Sequence, residues 1–364
     1  MIALVIARTA GGTGRHVRAV AAALAAAGRD VVVAGPPSAD ATFGFSSLAR
    51  YEPVEVATGP RPLGDARAVR RLRRVLGDAD LVHAHGIRAA ALAGVAAPRA
   101  VPLLTTWHNA LLGSPLRRAA WLPLERRVAR RATVTLCVSG DLAVRVRALG
   151  GRDVRVAPVG ARRPSGAVRA RDDVRAELAT GERPLLVAAG RLTEQKGYDL
   201  LLDAAAVWDV RTPRPRTVVA GDGPLRGALT EEAERRGLDV SFVGGRADVP
   251  DLFAAAEVVL LPSRWEGSPL TAHEALFSGT PLVATAVGGL PELLGGGAAV
   301  LTPAGDARAF AEAVLRLLDD PAAAATVGAA GRARAREWPD EEEAARRVLA
   351  VYDELLAAPP RSRP

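Results

Sequence analysis

The sequence predicts an α/β protein made of two doubly wound, Rossmann-like domains that face each other across a cleft. Short apolar runs alternate with Ala/Leu/Arg-rich segments of helical period over residues 1–160, and the alternation begins again over 161–338. Strands that are apolar along their whole length and alternate with helices are typical of parallel sheets covered on both faces. Between the two series, residues 160–184 are polar and rich in Gly, Pro and Arg. This break indicates a linker with a short helix.

The individual strands are predicted from apolar runs bounded by polar or small residues. In the first half these runs are "IALVIA", "DVVVAG", "DLVHAHG", "PLLTTWH" and "VTLCVSG", with helical periodicity over 16–27, 64–76 and 114–131. In the second half they are "PLLVAAGRL", "RTVVAGDGP", "VSFVGG", "VVLLPS", "PLVATAVGG" and "AAVLTP". A last amphipathic helix, over 340–357, follows Pro339 and carries acids in its first turn. Ligands are expected at the carboxyl ends of both sheets.

Composition limits the class of protein. The chain has 364 residues, enough for two ordinary cores, with 49% hydrophobic and 24% charged residues. Its one cysteine, Cys137, excludes an internal disulfide and a cysteine-based metal cluster, and it lies in a run that predicts a buried strand. No run of about twenty apolar residues occurs. We therefore expect a cytoplasmic protein.

The net charge of +8 is unevenly distributed along the chain. Residues 1–160 hold 23 arginines against 10 acids, a net +13, while residues 161–364 carry a net −5. A basic half favours an anionic partner such as a phosphate or a membrane surface. Nucleic acid is disfavoured, because aromatic residues make up only 4% and no nucleic-acid-binding module is present.

In the first half, glycines and histidines follow predicted strands. Gly12 and Gly14 stand in "ARTAGGTGRHV", where Val17 replaces the last small residue of a dinucleotide fingerprint, so NAD is disfavoured. A phosphate near the helix start and a plain tight turn both remain open. His108 in "LTTWHN" lies where cleft residues are expected, although a structural histidine is also consistent. His83 and His85 lack a nearby third metal ligand, which favours structural or acceptor-lining roles.

In the second half, two cations follow the first strand. Arg191 and Lys196 stand five residues apart in "AAGRLTEQKG". A guanidinium gives phosphate oxygens a planar fork and an ammonium gives them a point charge. The flanking glycines favour a diphosphate site over a solvated surface pair.

The stretch "SRWEGSPLTAHEAL" places Glu266 and Glu274 on either side of a turn that opens a helix. Pro269 suits the first helical turn, and the free N–H groups near 268–271 suit an anion. Carboxylates only accept hydrogen bonds, so each can take two hydroxyls of a sugar diol. An anion site between two diol acceptors describes a nucleotide sugar. A glycosidase acid pair fits poorly, because its carboxyls must flank the scissile bond; a metal site lacks the usual Asp cluster.

At these residues the sequence resembles the retaining GT-B glycosyltransferases of family 4, the group 1 glycosyl transferases. The likeness spans nearly the whole chain: it includes the glycine loop, the strand-end histidine, "GRLTEQKG", "GDGP", "FVGGRADVPDLFAAAEVVLLPSRWEGSPLTAHEAL" and "GTPLVATAVGGLPELL". The resemblance implies that a hexosyl group passes from a UDP- or GDP-linked sugar to an acceptor hydroxyl, with retention and without a metal or other cofactor. It also implies that the C-terminal helix crosses back onto the first domain.

The resemblance further implies a role for each matching position. Arg191 and Lys196 would neutralise the diphosphate, Glu266 would contact the donor sugar, and Glu274 would hold the ribose. Gly12 and Gly14 would approach the diphosphate, and His108 would touch the sugar near its anomeric carbon. The remaining implied donor contacts are backbone amides and a turn against the base: Gly267, Ser268, Pro269, Leu270, Gly244 and Arg246.

The first domain would then bind an acceptor, which is lipid-linked, a polysaccharide or a small molecule. Its basic helical segments suit peripheral contact with an anionic membrane, although a solvated arginine-rich face explains them equally well. They are Arg67, Arg70, Arg71, Arg73, Arg74 and "SPLRRAAWLPLERRVARR". Two other functions share the fold: a nucleotide-sugar epimerase, for which we find no acid/base carboxylates in the first domain, and a non-catalytic nucleotide-sugar or glycan-binding protein.

Overall fold

The computed structural model describes residues 1–9, 11–161 and 168–357. The chain divides into two compact units, a first unit formed by Met1–Gly160 with Pro339–Pro364 and a second unit formed by Ala161–Trp338. Each unit has its own sheet and its own apolar core. Part of the predicted linker, residues 162–167, lies outside the described residues.

The first unit is a seven-stranded sheet in the order β3-β2-β1-β4-β5-β6-β7, with every recorded pairing parallel. Its strands are β1 Ile2–Ile6, β2 Val31–Gly35, β3 Arg50–Pro53, β4 Leu81–His85, β5 Leu103–Trp107, β6 Val134–Cys137 and β7 Val154–Val156. Its helices are α1 Gly12–Ala26, α2 Pro37–Phe43, α3 Pro62–Leu76, α4 Ile87–Ala96, α5 Pro115–Arg131, α6 Gly140–Ala148 and the C-terminal helix Glu341–Ala357. The strand order reverses between β1 and β4, where ligands of doubly wound sheets bind.

The C-terminal helix packs on the first unit because one of its faces is apolar. Ala345, Val348 and Tyr352 are buried in the same core as β1 and α1. The chain just before the helix also packs closely here, since a Cβ added to Gly160 would lie 2.2 Å from the backbone oxygen of Asp340. This helix thus belongs to the core of a sheet whose last strand ends at Val156.

The second unit is a six-stranded parallel sheet in the order β10-β9-β8-β11-β12-β13. Its strands are β8 Leu185–Ala189, β9 Arg216–Ala220, β10 Val240–Gly244, β11 Val258–Leu261, β12 Leu282–Thr285 and β13 Val300–Thr302. Its helices are α7 Arg171–Glu177, α8 Tyr198–Trp208, α9 Arg226–Arg235, α10 Val249–Ala255, α11 Leu270–Ser278, α12 Leu290–Leu294, α13 Ala307–Asp319 and α14 Pro321–Glu337. Here the order reverses between β8 and β11, so the loops that follow these two strands leave the sheet side by side.

The prediction of two α/β, Rossmann-like domains, each with a parallel sheet, is confirmed, and every predicted strand is present. Two further strands, β3 and β7, lack an apolar run, and the sequence pattern does not predict them. Both lie at the edges of the sheet, where one side of the strand has no neighbour to bury it. Among the described residues, no helix is both long and apolar enough to cross a bilayer.

Candidate functional site

In the second unit, the loops after β8 and β11 bring Lys196 against Glu266. The Lys196 Nζ lies 2.6 Å from Glu266 Oε1, and the Ser263 hydroxyl donates to the same oxygen at 2.6 Å. Glu266 is 4% exposed and Ser263 1% exposed. A carboxylate this buried needs such partners, because removing a charge from water is costly. The sequence pattern identifies the lysine and the glutamate but misses the serine.

Glycines allow these loops to approach each other. A Cβ on Gly197, whose φ is +64°, would lie 2.1 Å from the Pro262 backbone oxygen; a Cβ on Gly288, whose φ is +55°, would lie 2.0 Å from that of Glu266. The Arg264 N–H also donates to the Gln195 backbone oxygen at 2.8 Å. The backbone of Glu266 is therefore held between two loops.

Arg191, the other predicted diphosphate ligand, is exposed. No carboxylate of the described residues lies within ion-pair distance of its guanidinium. Its charge is thus open to an anion, in contrast to the charge of Lys196, which Glu266 already balances.

The helix α11 begins one residue later than the sequence predicts. Leu270 is the first helical residue, and Pro269 caps it with extended backbone at φ −75° and ψ 122°. The predicted donor-binding residues Gly267 and Ser268 precede this cap, and Glu274 lies in the second helical turn, half-buried. The start of α11 leaves backbone N–H groups without helical acceptors, as expected for an anion site.

In the turn that is predicted to border the base, the arginine is paired with carboxylates. Gly244 has a φ of +77°, and its backbone oxygen accepts from Gly221 at 2.7 Å. The Arg246 guanidinium lies 2.6 Å from Glu177 and 2.6 Å from Asp248, and hydrogen bonding to it lowers the pKa of Asp248 to about 2. Two carboxylates therefore already neutralise this arginine, a pairing that the sequence pattern does not reveal.

In the first unit, four histidines pack together: two come from β4, one follows β5 and one lies on α1. His85 Nδ1 lies 3.2 Å from His108 Nε2, and the His16 ring lies 5.7 Å from His85 and 5.5 Å from His108 between ring centroids. His83 shares a face of β4 with His85, and its ring lies 4.0 Å away. The sequence pattern does not single out His16, although this residue stands four residues after Gly12 and so on the same face of α1.

Burial favours the neutral form of this histidine cluster (His16, His83, His85 and His108). Burial lowers the pKa of His16 to about 4 and lowers the pKa of the other three well below their usual value, with neighbouring histidines adding to the effect at those three. His83 is held from both sides, since its Nδ1 lies 2.6 Å from the Tyr352 hydroxyl and its Nε2 lies 2.7 Å from that of Thr106. The C-terminal helix thus contacts the cluster directly.

The predicted glycine loop is mostly helix. The helix α1 already begins at Gly12, and Gly11, with a φ of +76°, is the residue that turns the chain into it. A Cβ on Gly14 would lie 2.1 Å from the Phe43 ring. Packing of α1 on α2 therefore accounts for a glycine at position 14, and the close approach of a phosphate to Gly14 stays a prediction.

A cavity of about 220 Å³ opens beside the histidine cluster in the first unit. His85 and His108 line one side of it, and Arg88, Arg117 and Trp121 also line it. Among the described residues, no group of three or more His, Cys, Asp and Glu is arranged to hold a metal ion. Cys137 is buried in β6, and burial raises the pKa of its thiol to about 12, so it is unreactive at neutral pH.

Comparison with known proteins places this architecture in one family. The model of the "Glycosyl transferase 4-like domain" matches residues 11–162, and the model of "Glycosyl transferases group 1" matches residues 183–320. The glycogen synthase of Mycobacterium tuberculosis is 32% identical over 390 aligned positions, covering 94% of this chain and 91% of that protein.

Other relatives match over shorter lengths or in fold alone. The lipopolysaccharide core mannosyltransferase LpsB of Rhizobium meliloti is 35% identical over 177 residues, which cover 46% of this chain and only half of that protein. The solved structure of HepE from Anabaena in complex with UDP superimposes with a TM-score of 0.80 at 22% identity, covering 97% of this chain and 99% of that one. On the two matched domain models and the near-full-length relative, the chain belongs to the group 1 glycosyl transferases, that is, to the family 4 glycosyltransferases of GT-B fold.

Proposed function

We propose that the protein transfers a hexosyl group from a UDP- or GDP-linked sugar to an acceptor hydroxyl, with retention of configuration and with no metal or other cofactor. The observation that carries the proposal is the arrangement in the second unit, where a buried glutamate, its lysine partner and a helix start adjoin on neighbouring loops. Solved structures of HepE contain UDP or UDP-glucose, which supports a nucleotide-sugar donor here.

The donor diphosphate would bind to cations and to backbone amides. Arg191 has no carboxylate partner in the described part of the chain, and the start of α11 at Leu270 offers N–H groups to an anion. Lys196 would move from Glu266 toward the phosphates when the donor binds, since the diphosphate carries more charge than one carboxylate. These cations would balance the leaving charge, a role that metal ions fill in other phosphoryl and glycosyl sites.

The two glutamates would orient the sugars. Glu266 keeps one carboxylate oxygen bound to Ser263 and would accept hydroxyls of the donor hexose with the other. Glu274, half-buried in α11, would accept the ribose hydroxyls. Gly244 and Arg246 would border the base, with Arg246 contributing its planar face because its N–H groups already bind Glu177 and Asp248.

In the reaction, the bond from the anomeric carbon to the β-phosphate oxygen breaks, and the acceptor oxygen bonds to that carbon from the same face. The acceptor hydroxyl proton passes to the departing phosphate oxygen, so no protein nucleophile is required. His108 would lie against the sugar near the anomeric carbon; as a neutral imidazole it would orient the sugar without adding charge. The acceptor would bind to the first unit, whose exposed arginines on α3 and α5 suit peripheral contact with an anionic membrane.

The test is turnover of a panel of nucleotide sugars, chosen first by the thermal stabilisation that each gives. We expect release of the nucleoside diphosphate to persist in EDTA and to fall at least about 100-fold in Arg191→Ala and in Glu274→Ala. Arg308→Ala is the matched control, because Arg308 is exposed on α13 and pairs with Glu312 one turn away. Full activity in both site variants would contradict the donor site, and loss of activity in EDTA would contradict metal independence.

The product distinguishes this proposal from the two alternatives. NMR of the product should show the donor's anomeric configuration at the new linkage. An epimerised nucleotide sugar formed without acceptor would indicate an epimerase. Donor binding without turnover under any acceptor would indicate a binding protein.

A further inference from the structure

The ionised side chains that line the cavity of the first unit all carry positive charge. Three of its lining residues are arginines, Arg8, Arg88 and Arg117, and no carboxylate of the described residues lines it. A small concave site with one sign of charge concentrates the field of that charge. Its ligand is therefore expected to carry negative charge.

The three arginines differ in whether a carboxylate balances them. Arg88 is 9% exposed at its side chain and lies 2.6 Å from Asp65, and Arg8 lies 2.9 Å from Glu55. Arg117 stands in the first turn of α5, is exposed, and has no carboxylate within ion-pair distance in the part of the chain that the structure describes. One uncompensated guanidinium at the cavity suits one anionic group, which it can bind through two parallel N–H donors.

The rest of the lining suits hydroxyl groups and a sugar ring. Thr9, Thr13 and Thr58 bring hydroxyls that both donate and accept, and Asn109 brings an amide that does the same. Trp121 follows Arg117 by four residues on α5, so the two side chains lie on one face of that helix. An aromatic face beside a polar cluster is suited to the C–H face of a sugar or polyol.

The size of the cavity limits the ligand. At about 220 Å³ it is smaller than the roughly 300–1,000 Å³ of pockets that hold drug-sized ligands. One ring or a short polyol with a single substituent is therefore enough to fill it. A longer acceptor would place only its end in the cavity.

We propose that this cavity binds a sugar or polyol of about one ring bearing a phosphate or carboxylate, and that Arg117 recognises that anionic group. The inference rests on the proposed function, in which this unit binds the acceptor, and it names the class of acceptor. Such a ligand is either free in solution or the exposed head of a lipid; the recognised chemistry is the same in both.

The experiment measures binding to the full chain by calorimetry, with charged and uncharged forms of each probe. Suitable pairs are glucose with glucose 6-phosphate, galactose with galacturonic acid, and glycerol with glycerol 3-phosphate. We expect at least one charged member to bind at least tenfold more tightly than its uncharged partner. Vesicles of phosphatidylcholine with and without phosphatidylglycerol form the lipid arm. Binding of glycerol 3-phosphate alone indicates a free ligand. Stronger binding of the anionic vesicle that Arg117→Gln weakens more than Arg118→Gln indicates a lipid head in the cavity.

Two neighbouring arginines provide the variant and its control. Arg117→Gln should weaken the charged probe about 10–100-fold, as expected for loss of a charge-assisted hydrogen bond, and leave the uncharged probe unchanged. Arg118→Gln removes an equally exposed charge that does not line the cavity and should change soluble-probe binding less than twofold. Three results would overturn the inference. The charged and uncharged probes could bind equally, no charged probe could bind at millimolar concentration, or the two variants could have equal effects.

These outcomes are separable from those of the proposed function. Donor stabilisation and donor hydrolysis in the absence of acceptor do not require Arg117. If donor turnover occurs and the charged probes do not bind, the inference fails and the transferase remains. If the charged probes bind through Arg117 and no nucleotide sugar binds, the cavity assignment remains and the transferase fails.

Discussion

Ser263 donates its hydroxyl hydrogen to the carboxylate of Glu266 at 2.6 Å, on the same oxygen that Lys196 contacts. Its own backbone oxygen accepts from the hydroxyl of Thr285 on the next strand, β12. The serine is therefore fixed by the sheet and in turn fixes the glutamate. In the proposed function, the other oxygen of Glu266 would accept a hydroxyl of the donor sugar.

Ser263→Ala should lower kcat without abolishing donor binding. Loss of a hydrogen bond to a charged group costs about 1.5–3 kcal/mol, which corresponds to a roughly 10–100-fold slower reaction if the glutamate must be oriented in the transition state. The measurement is kcat and KM for the nucleotide sugar, beside Ser278→Ala, whose hydroxyl bonds the Ala275 backbone oxygen elsewhere on α11. Equal kinetics in Ser263→Ala and wild type would show that the bond does not position Glu266.

Local sequence pattern predicts which side chains follow the strands at the candidate site, but it does not predict contacts between distant segments of the chain. Lys196, Glu266 and His108 are predicted because each stands shortly after an apolar strand, where parallel sheets place ligand sites. The contact of His83 with Tyr352 joins residues 269 apart, and no periodicity links them. The packing of Gly14 against Phe43 is beyond local pattern for the same reason, since Phe43 lies on another helix.

The contact between Lys196 and Glu266 predicts that substitutions of the two residues change the free energy of unfolding non-additively. Lys196→Met leaves the glutamate charge buried with one donor fewer, and we expect it to destabilise the second unit by up to roughly 3–5 kcal/mol. The double variant Lys196→Met, Glu266→Gln removes both charges and should recover part of that loss. Urea unfolding of the two single variants and the double variant measures the coupling; strict additivity of the single effects would contradict it.

The histidine cluster predicts acid sensitivity of the first unit. The pKa values of these histidines are lower in the folded protein than in the unfolded chain. Below about pH 6.5 the unfolded chain therefore binds more protons than the folded protein does. The stabilisation that is present above that pH is lost as the pH falls toward about 4. Native-state hydrogen exchange at β4 and β5 should show opening free energies that are constant above about pH 7 and fall between about pH 6.5 and 4. His16→Asn should reduce the slope by up to about 1.4 kcal/mol per pH unit. An unchanged slope in that variant would show that His16 does not titrate with unfolding.

The hydrogen bond between Tyr352 and His83 is expected to stabilise the packing of the C-terminal helix on the first unit. Its hydroxyl is buried against His83 Nδ1 at 2.6 Å, so Tyr352→Phe leaves a buried imidazole nitrogen without its partner. We expect a loss of about 1–3 kcal/mol from the unfolding free energy of the first unit. Tyr51→Phe, which removes a bond from a half-buried tyrosine to the Pro36 backbone oxygen, is the control and should cost less. A smaller loss in Tyr352→Phe than in Tyr51→Phe would contradict the assigned role.

Gly288 tests whether the loop after β12 controls the position of Glu266. Gly288→Ala meets two costs: an alanine at a φ of +55° is strained by roughly 1–2 kcal/mol, and its Cβ would lie 2.0 Å from the Glu266 backbone oxygen. Gly296→Ala meets the first cost alone, since Gly296 has a φ of +74° and a Cβ added there would have no described atom within 4 Å beyond its chain neighbours. Both variants should lose similar stability from backbone strain. Because only Gly288→Ala must displace Glu266, only this variant should lower donor turnover, by about tenfold or more. If the two variants lost turnover equally, the effect would come from general destabilisation, and the contact between Gly288 and Glu266 would have no part in holding the donor site.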